Sequence, residues 1–183
     1  MRMKNLIRAV TAAAVLLGCA ACGSGRAGKE AVMPENGYAE GRIGDAMRTA
    51  WFDFTVNKAE LTDQYGSVTA NEGEKLLVVN VTLTSTVDQE IVMYDTDFQA
   101  QWGTFKEDDY RYPVTFENEA APEKEMLATE YTLEPEKSVT GDLVFSVPGG
   151  KDRYSLFFME YYETPDDPEA PDSGDLFFVF FEV

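Results

Sequence analysis

The stretch Leu76 to Thr84, LLVVNVTLT, decides the fold reading. Leu77, Val79, Val81 and Leu83 share one side of a period-two pattern, and Asn80, Thr82 and Thr84 share the other. Such alternation belongs to a half-buried strand, because successive side chains of an extended chain point to opposite faces. Upstream, Trp51 to Ala59 (WFDFTVNKA) sets Phe52, Phe54 and Val56 against Asp53, Thr55 and Asn57. Downstream, Asp97 to Trp102 (DFQAQW) alternates again. Ser138 to Val147 places Val139, Leu143, Phe145 and Val147 on one side, then stops at the strong breaker Pro148-Gly149-Gly150. Tyr154–Tyr162 and Leu176–Val183 are apolar on both faces and rich in aromatics. They are predicted to form a hairpin around Thr164–Gly174 and to lie centrally in a sheet, since a bare apolar edge invites aggregation. No long segment repeats at helical spacing. Short strands separated by turn signals predict an all-β, antiparallel sandwich or barrel.

Residues 1–22 read differently. Arg2, Lys4 and Arg8 precede the apolar run Ala9–Leu17, and the small residues Gly18, Ala20 and Ala21 follow. Basic, apolar, then small is the order of an export signal. The apolar run falls short of the ~20 residues a membrane-spanning helix needs. Cys19 and Cys22 are the only cysteines. A redox C-x-x-C belongs at a helix start in a βαβ setting, which is not seen here. Zinc wants four ligands, and the chain has no histidine to complete the set. A disulfide inside a segment that is cleaved away would staple nothing. LLGC and CAAC both resemble the lipobox of bacterial lipoproteins, in which the cysteine becomes the lipid-bearing first residue. Cys22 is the expected acceptor, with Cys19 the alternative; an ordinary cleaved signal without lipid also fits the small residues. Residues 23–40, small and polar, then read as a flexible linker with a reach of about 20–25 Å. Expected localisation is extracytoplasmic, on the outer face of the cell membrane.

The 183 residues are one domain's worth, and 44% hydrophobic with 13% aromatic residues can build a core. Net charge is -18, and the predicted signal contains basic residues but no acids, so its removal makes the chain more acidic still. Phosphate binding needs clustered Lys and Arg, so nucleic acid is excluded as a partner. Adsorption to an anionic bilayer is disfavoured for the same reason, which leaves a covalent lipid as the membrane contact.

Four segments together resemble one family: WFDFTVNK from Trp51, LLVVNVTLT, DTDF at Asp95–Phe98, and LEPEKSVTGDLVFSVP at Leu133–Pro148. It is the telokin-like, immunoglobulin-like domain of unknown function found in Gram-positive surface lipoproteins. The resemblance spans about Ile43 to Val183 and matches poorly over 103–130. It implies an immunoglobulin-like β-sandwich of about seven to eight strands over residues 41–183, and it brings no catalytic residues. Glu136 stands where that family commonly has glycine, so a departure in the turn before Ser138 is expected.

Without histidine, Ser-His-Asp and Cys-His arrangements are impossible, and no enzyme activity is expected. Ser138 follows Lys137, but neighbours on a strand point apart. The acidic segment Asp166–Asp175 carries Asp166, Asp167, Asp172 and Asp175, oxygen donors suited to calcium, although the EF-hand spacing is missing. A solvated loop is the simpler reading there, and no other cofactor is expected. Trp102, Tyr110 and Tyr112 are the candidate binding surface, since Tyr and Trp are favoured at interfaces. The expected role is a non-catalytic binding module for an envelope protein, a peptide or a cationic ligand. The alternative is an envelope spacer or accessory subunit.

Overall fold

The computed structural model describes residues 30–103, 109–117, 121–123, 125–161 and 174–183. In chain order the strands are β1 (Tyr38–Arg42), β2 (Ala46–Arg48), β3 (Phe52–Thr62), β4 (Gln64–Tyr65), β5 (Val68–Thr69), β6 (Glu74–Ser85), β7 (Ile91–Tyr94), β8 (Phe98–Trp102), β9 (Tyr110–Arg111), β10 (Glu130–Leu133), β11 (Ser138–Pro148), β12 (Arg153–Met159) and β13 (Leu176–Glu182). A 3-10 turn covers Asp95–Asp97, and one helical turn, α1, covers Val114–Glu117.

The alternating segments become the framework of a β-sandwich. β3, β6 and β11 pair antiparallel at the heart of a four-stranded sheet ordered β11-β6-β3-β2. The second sheet runs β1-β13-β12-β8-β9, with the aromatic hairpin β12–β13 inside it. Inward residues of both sheets meet in one cluster: Phe52, Phe54 and Val56 of β3, Leu77, Val79, Val81 and Leu83 of β6, Phe145 of β11, Phe98 of β8, Phe158 of β12 and Phe177 of β13. Phe54 stands at its centre, edge-on to Phe98, Phe158 and Phe177 with ring centroids at 5.6, 6.0 and 6.1 Å. Each such ring contributes roughly 1.5–3 kcal/mol by burial.

Leu76 and Val78 break the alternation of β6 because the opposite face is also covered there. They pack with Val144 and with Val114 of α1, beneath Tyr65, Val68, Ala70 and Met126. Beyond that patch the outer face of the four-stranded sheet turns polar. A bulge between Val56 and Lys58 frees Asn57, whose amide donates to Asn80 Oδ1 and Thr82 Oγ1, each at 2.9 Å.

The expected antiparallel β-sandwich is present, and the structure adds detail to it. The two principal sheets hold five and four strands, with two further two-stranded ribbons, β7–β10 and β4–β5, so the count exceeds seven to eight. Pairing is antiparallel with one exception among the named strands, because β1 runs parallel to β13. The described part of the segment expected as linker, residues 30–40, takes part in strand pairing. Val32 donates to the Ala46 carbonyl and accepts from the Arg48 N–H, and β1 begins at Tyr38. In the turn before β11, Glu136 takes a left-handed φ of 57° while the Lys137 N–H donates to the Glu134 carbonyl at 3.1 Å. That conformation costs a non-glycine residue roughly 1–2 kcal/mol.

Candidate functional site

Alternation along β12 sends Tyr154, Leu156 and Phe158 into the core, and so sends Ser155 and Phe157 to the outer face of the five-stranded sheet. The register then assembles a row of outward side chains across all five strands. Arg42 of β1 pairs with Phe180 of β13, Phe180 with Ser155 of β12, Ser155 with Gln101 of β8, and Gln101 with Tyr110 of β9. Apart from Gln101 and Tyr110, which lie on consecutive strands, these residues are distant in sequence, so strand order brings them together.

A cleft of about 720 Å³ opens over this row, with Arg42, Phe180, Ser155 and Gln101 among its lining residues. Its rim carries both charge signs: Glu40 and Arg42 on β1, Lys151, Asp152 and Arg153 leading into β12, and Glu182 ending β13. Arg42 lies 5.3 Å from the Phe180 ring centroid and pairs with Glu40 at 2.8 Å. Arg153 pairs with Glu182 at 3.4 Å, both side chains being at least three-quarters exposed. The Lys151 ammonium has no ion pair among the described residues. Tyr154 anchors the turn that presents these charges, its hydroxyl lying 3.3 Å from the Pro148 carbonyl and 3.4 Å from that of Lys151. Burial, with the Asp152 charge added, holds the Tyr154 phenol above its ordinary pKa.

Ser155 is the unusual member. It is 1% exposed, yet its Oγ has no hydrogen-bond partner. Buried hydroxyls nearly always find one, and leaving one unmet costs about 1–3 kcal/mol. Tyr131 carries the other unpartnered buried hydroxyl among the described residues, near Asp95 and Asp97 and away from this cleft.

The three aromatics chosen from sequence separate here. Trp102 is 4% exposed, so its assignment to a surface is corrected: alternation along β8 turns it inward with Phe98 and Ala100, and the Arg111 guanidinium lies 5.4 Å from the ring centroid. It still lines the cleft as a wall. Tyr110 is exposed and stands edge-on to Tyr112 at 5.9 Å, and Tyr112 stands edge-on to Phe116 at 5.3 Å. Phe116, more than half exposed, thus joins a staircase that runs from the row onto α1. Glu117 braces it, accepting from the Tyr112 N–H at 3.0 Å and pairing with Arg111 at 3.6 Å. Of the calcium candidates, Asp166, Asp167 and Asp172 lie outside the described residues, as do Cys19 and Cys22. Asp175 is described, and among the described residues no group of three or more acidic, His or Cys side chains is placed to hold a metal ion.

Sequence reasoning missed Ser155, Arg42 and Gln101. A lone serine inside YSLFFMEYY was the available signal, because a polar residue in a strand apolar on both faces needs a reason.

Chemically, the arrangement can hold a ligand through mixed charges, an amide, a hydroxyl and ring edges. To act as a nucleophile Ser155 would need a base within hydrogen-bond reach, and among the described residues its Oγ has no partner.

Fold and site together define a β-sandwich whose exposed sheet face bears a cleft. The chain belongs to a family of domains of unknown function, DUF4352, whose model matches residues 41–166. Two solved structures are similar. One is that of a "putative lipoprotein (ycdA)" from Bacillus subtilis, with 18% identity and a TM-score of 0.52 over 75% of this chain and 38% of that one. The other is the yjhA protein of Bacillus subtilis, with 20% identity and a TM-score of 0.50 over 76% of this chain and 99% of that one. At these identities the likeness is one of fold, and the chain spans well under half of the ycdA structure. No curated protein matches this chain.

Proposed function

We propose that this chain is a lipid-anchored, extracytoplasmic binding module that takes an envelope protein or a peptide at the five-stranded sheet face and catalyses no reaction. The observation that carries the binding half is the cleft floored by a buried hydroxyl without a partner. Such a group is costly in the free protein and is relieved when a ligand supplies the missing bond. The anchoring half rests on the basic-apolar-small-Cys order of residues 1–22 and on the fold shared with a protein described as a "putative lipoprotein". The finer likeness to telokin-like, immunoglobulin-like domains belongs to the same reading. The lack of histidine anywhere in the sequence supports a non-catalytic role.

Palmitate labelling in the native host tests the anchor. Label is expected on the wild type and lost in Cys22→Ser, and label lost only in Cys19→Ser would move the acceptor. An unlabelled chain would remove the lipid. A photo-crosslinking residue at Tyr110 tests the binding half: recovery of a reproducible partner from native envelopes is expected, and none from repeated captures would defeat it.

A further inference from the structure

We propose that the row Arg42–Phe180–Ser155–Gln101 is the floor of a groove for a short zwitterionic peptide segment, lying across the strands and carrying both a basic and an acidic group. This rests on the binding role proposed above and names the ligand class for that site.

Charge decides the class. The rim offers three cations, Arg42, Lys151 and Arg153, and three anions, Glu40, Asp152 and Glu182. A ligand of one strong sign meets as many repulsive groups as attractive ones, whereas a segment with both signs satisfies the two sets together. The existing ion pairs of the rim are exposed, and exposed pairs are worth little, so a ligand can exchange with them at small cost. In a chain of net charge -18, a balanced rim is itself a local departure from the acidic surroundings.

Hydrogen bonding points the same way. Ser155 Oγ both donates and accepts, and the Gln101 carboxamide does too. Side by side on the floor they match the alternating N–H and C=O groups of a peptide backbone. Stacked sugars fit less well, because Arg42 lies over the Phe180 ring and Arg111 over that of Trp102. Size agrees: the four strands that line the cleft, β1, β13, β12 and β8, span three gaps of about 4.8 Å, roughly 14 Å, the length of about four extended residues.

A library of random heptapeptides panned on the full-length chain tests this. Two variants accompany it: Ser155→Trp, which fills the floor, and the doubly exposed charge reversal Lys151→Glu/Arg153→Glu. Enriched peptides are expected to carry a basic and an acidic residue, and to bind each variant about ten-fold more weakly or worse. If Ser155→Trp does not fold, the charge reversal decides, because both of its positions are exposed. No enrichment, enrichment of single-sign peptides, or binding indifferent to both variants would overturn the proposal. Peptides lost on Tyr110→Ala/Tyr112→Ala but retained by these two variants would overturn the groove while leaving a binding module. Loss of acylation would remove the anchor while leaving the groove untouched.

Discussion

The two sheets bury their inner faces in one core and treat their outer faces in opposite ways. On the four-stranded sheet the outward polar groups satisfy each other. Thr82 pairs with Thr140 and Thr84 with Ser138, each at 2.8 Å, and Ser146 donates to Glu74 at 2.7 Å. Asp142 accepts from the Tyr65 hydroxyl at 2.9 Å and from the Asn80 amide at 2.6 Å. On the five-stranded sheet the outward face is aromatic, with Phe157 against Phe178 at 4.9 Å and Phe178 stacked on Phe180 at 5.8 Å, and Ser155 is left without a bond. One face is finished within the chain, and the other leaves the buried Ser155 hydroxyl without a partner among the described residues. On the binding role proposed above, that is the side where a partner adds most.

This contrast can be broken or sharpened by substitution. The shared core sets the scale: Phe54→Ala should cost about 3–5 kcal/mol in urea unfolding and weaken both faces alike. A loss under about 1 kcal/mol would mean that the sheets do not share one core. Next comes the closed face. Asp142→Ala strands a phenol and an amide and should cost about 2–3 kcal/mol, with Asp142→Asn costing less because one acceptor remains. Equal losses in the two variants would show that the acceptors are not what matters. Glu136→Gly, in the turn feeding β11, relieves the left-handed backbone and should add about 0.5–1 kcal/mol. Destabilisation there would place the Glu136 side chain in an interaction that outweighs the strain.

The open face should answer oppositely to Asp142. Ser155→Ala removes a hydroxyl that has no partner, so stability should stay within about 0.5 kcal/mol or rise, while binding to the cleft falls. A large loss of stability would show that Ser155 is structural. The smallest effect is expected at the turn between β7 and β8. Burial holds Asp95 and Asp97 above the ordinary carboxylate range, although Asp95 accepts from the Thr115 hydroxyl and Asp97 from the Tyr94 N–H. With folded values raised, their contribution to stability is full below the ordinary range and is lost as pH rises through the raised values. Asp95→Asn should therefore flatten the fall in melting temperature from about pH 4 upward. An unchanged profile would assign that slope to other groups, general acidic repulsion among them.

Where one face is buried and the other wet, the sequence reads as the structure does. β3, β6 and β11 alternate visibly, so the inward roles of Phe54, Val79 and Phe145 follow from spacing alone. β1 escaped notice because its inward residues are Ala39 and Gly41, too small to mark a strand. Gly41 is small for a reason, since a Cβ there would collide with Met47 Sδ. Trp102 was legible as core from its spacing with Phe98 and Ala100, but its size argued for a surface. The site was the least legible part. Its row joins five strands whose order is a property of topology, and no local pattern around Ser155 announces that Arg42 and Gln101 stand beside it.

Parallel pairing of β1 with β13 carries a kinetic consequence. Tyr38 finds its ladder partner only at Leu176, and Arg42 only at Phe180. Contacts so distant along the chain form late, because loop closure must precede any ladder bond, and folding in the millisecond-to-second range typical of such topologies is expected. Until the closing strand docks, the guanidinium and the ring that flank Ser155 are apart, so a partly folded chain has no groove to occupy.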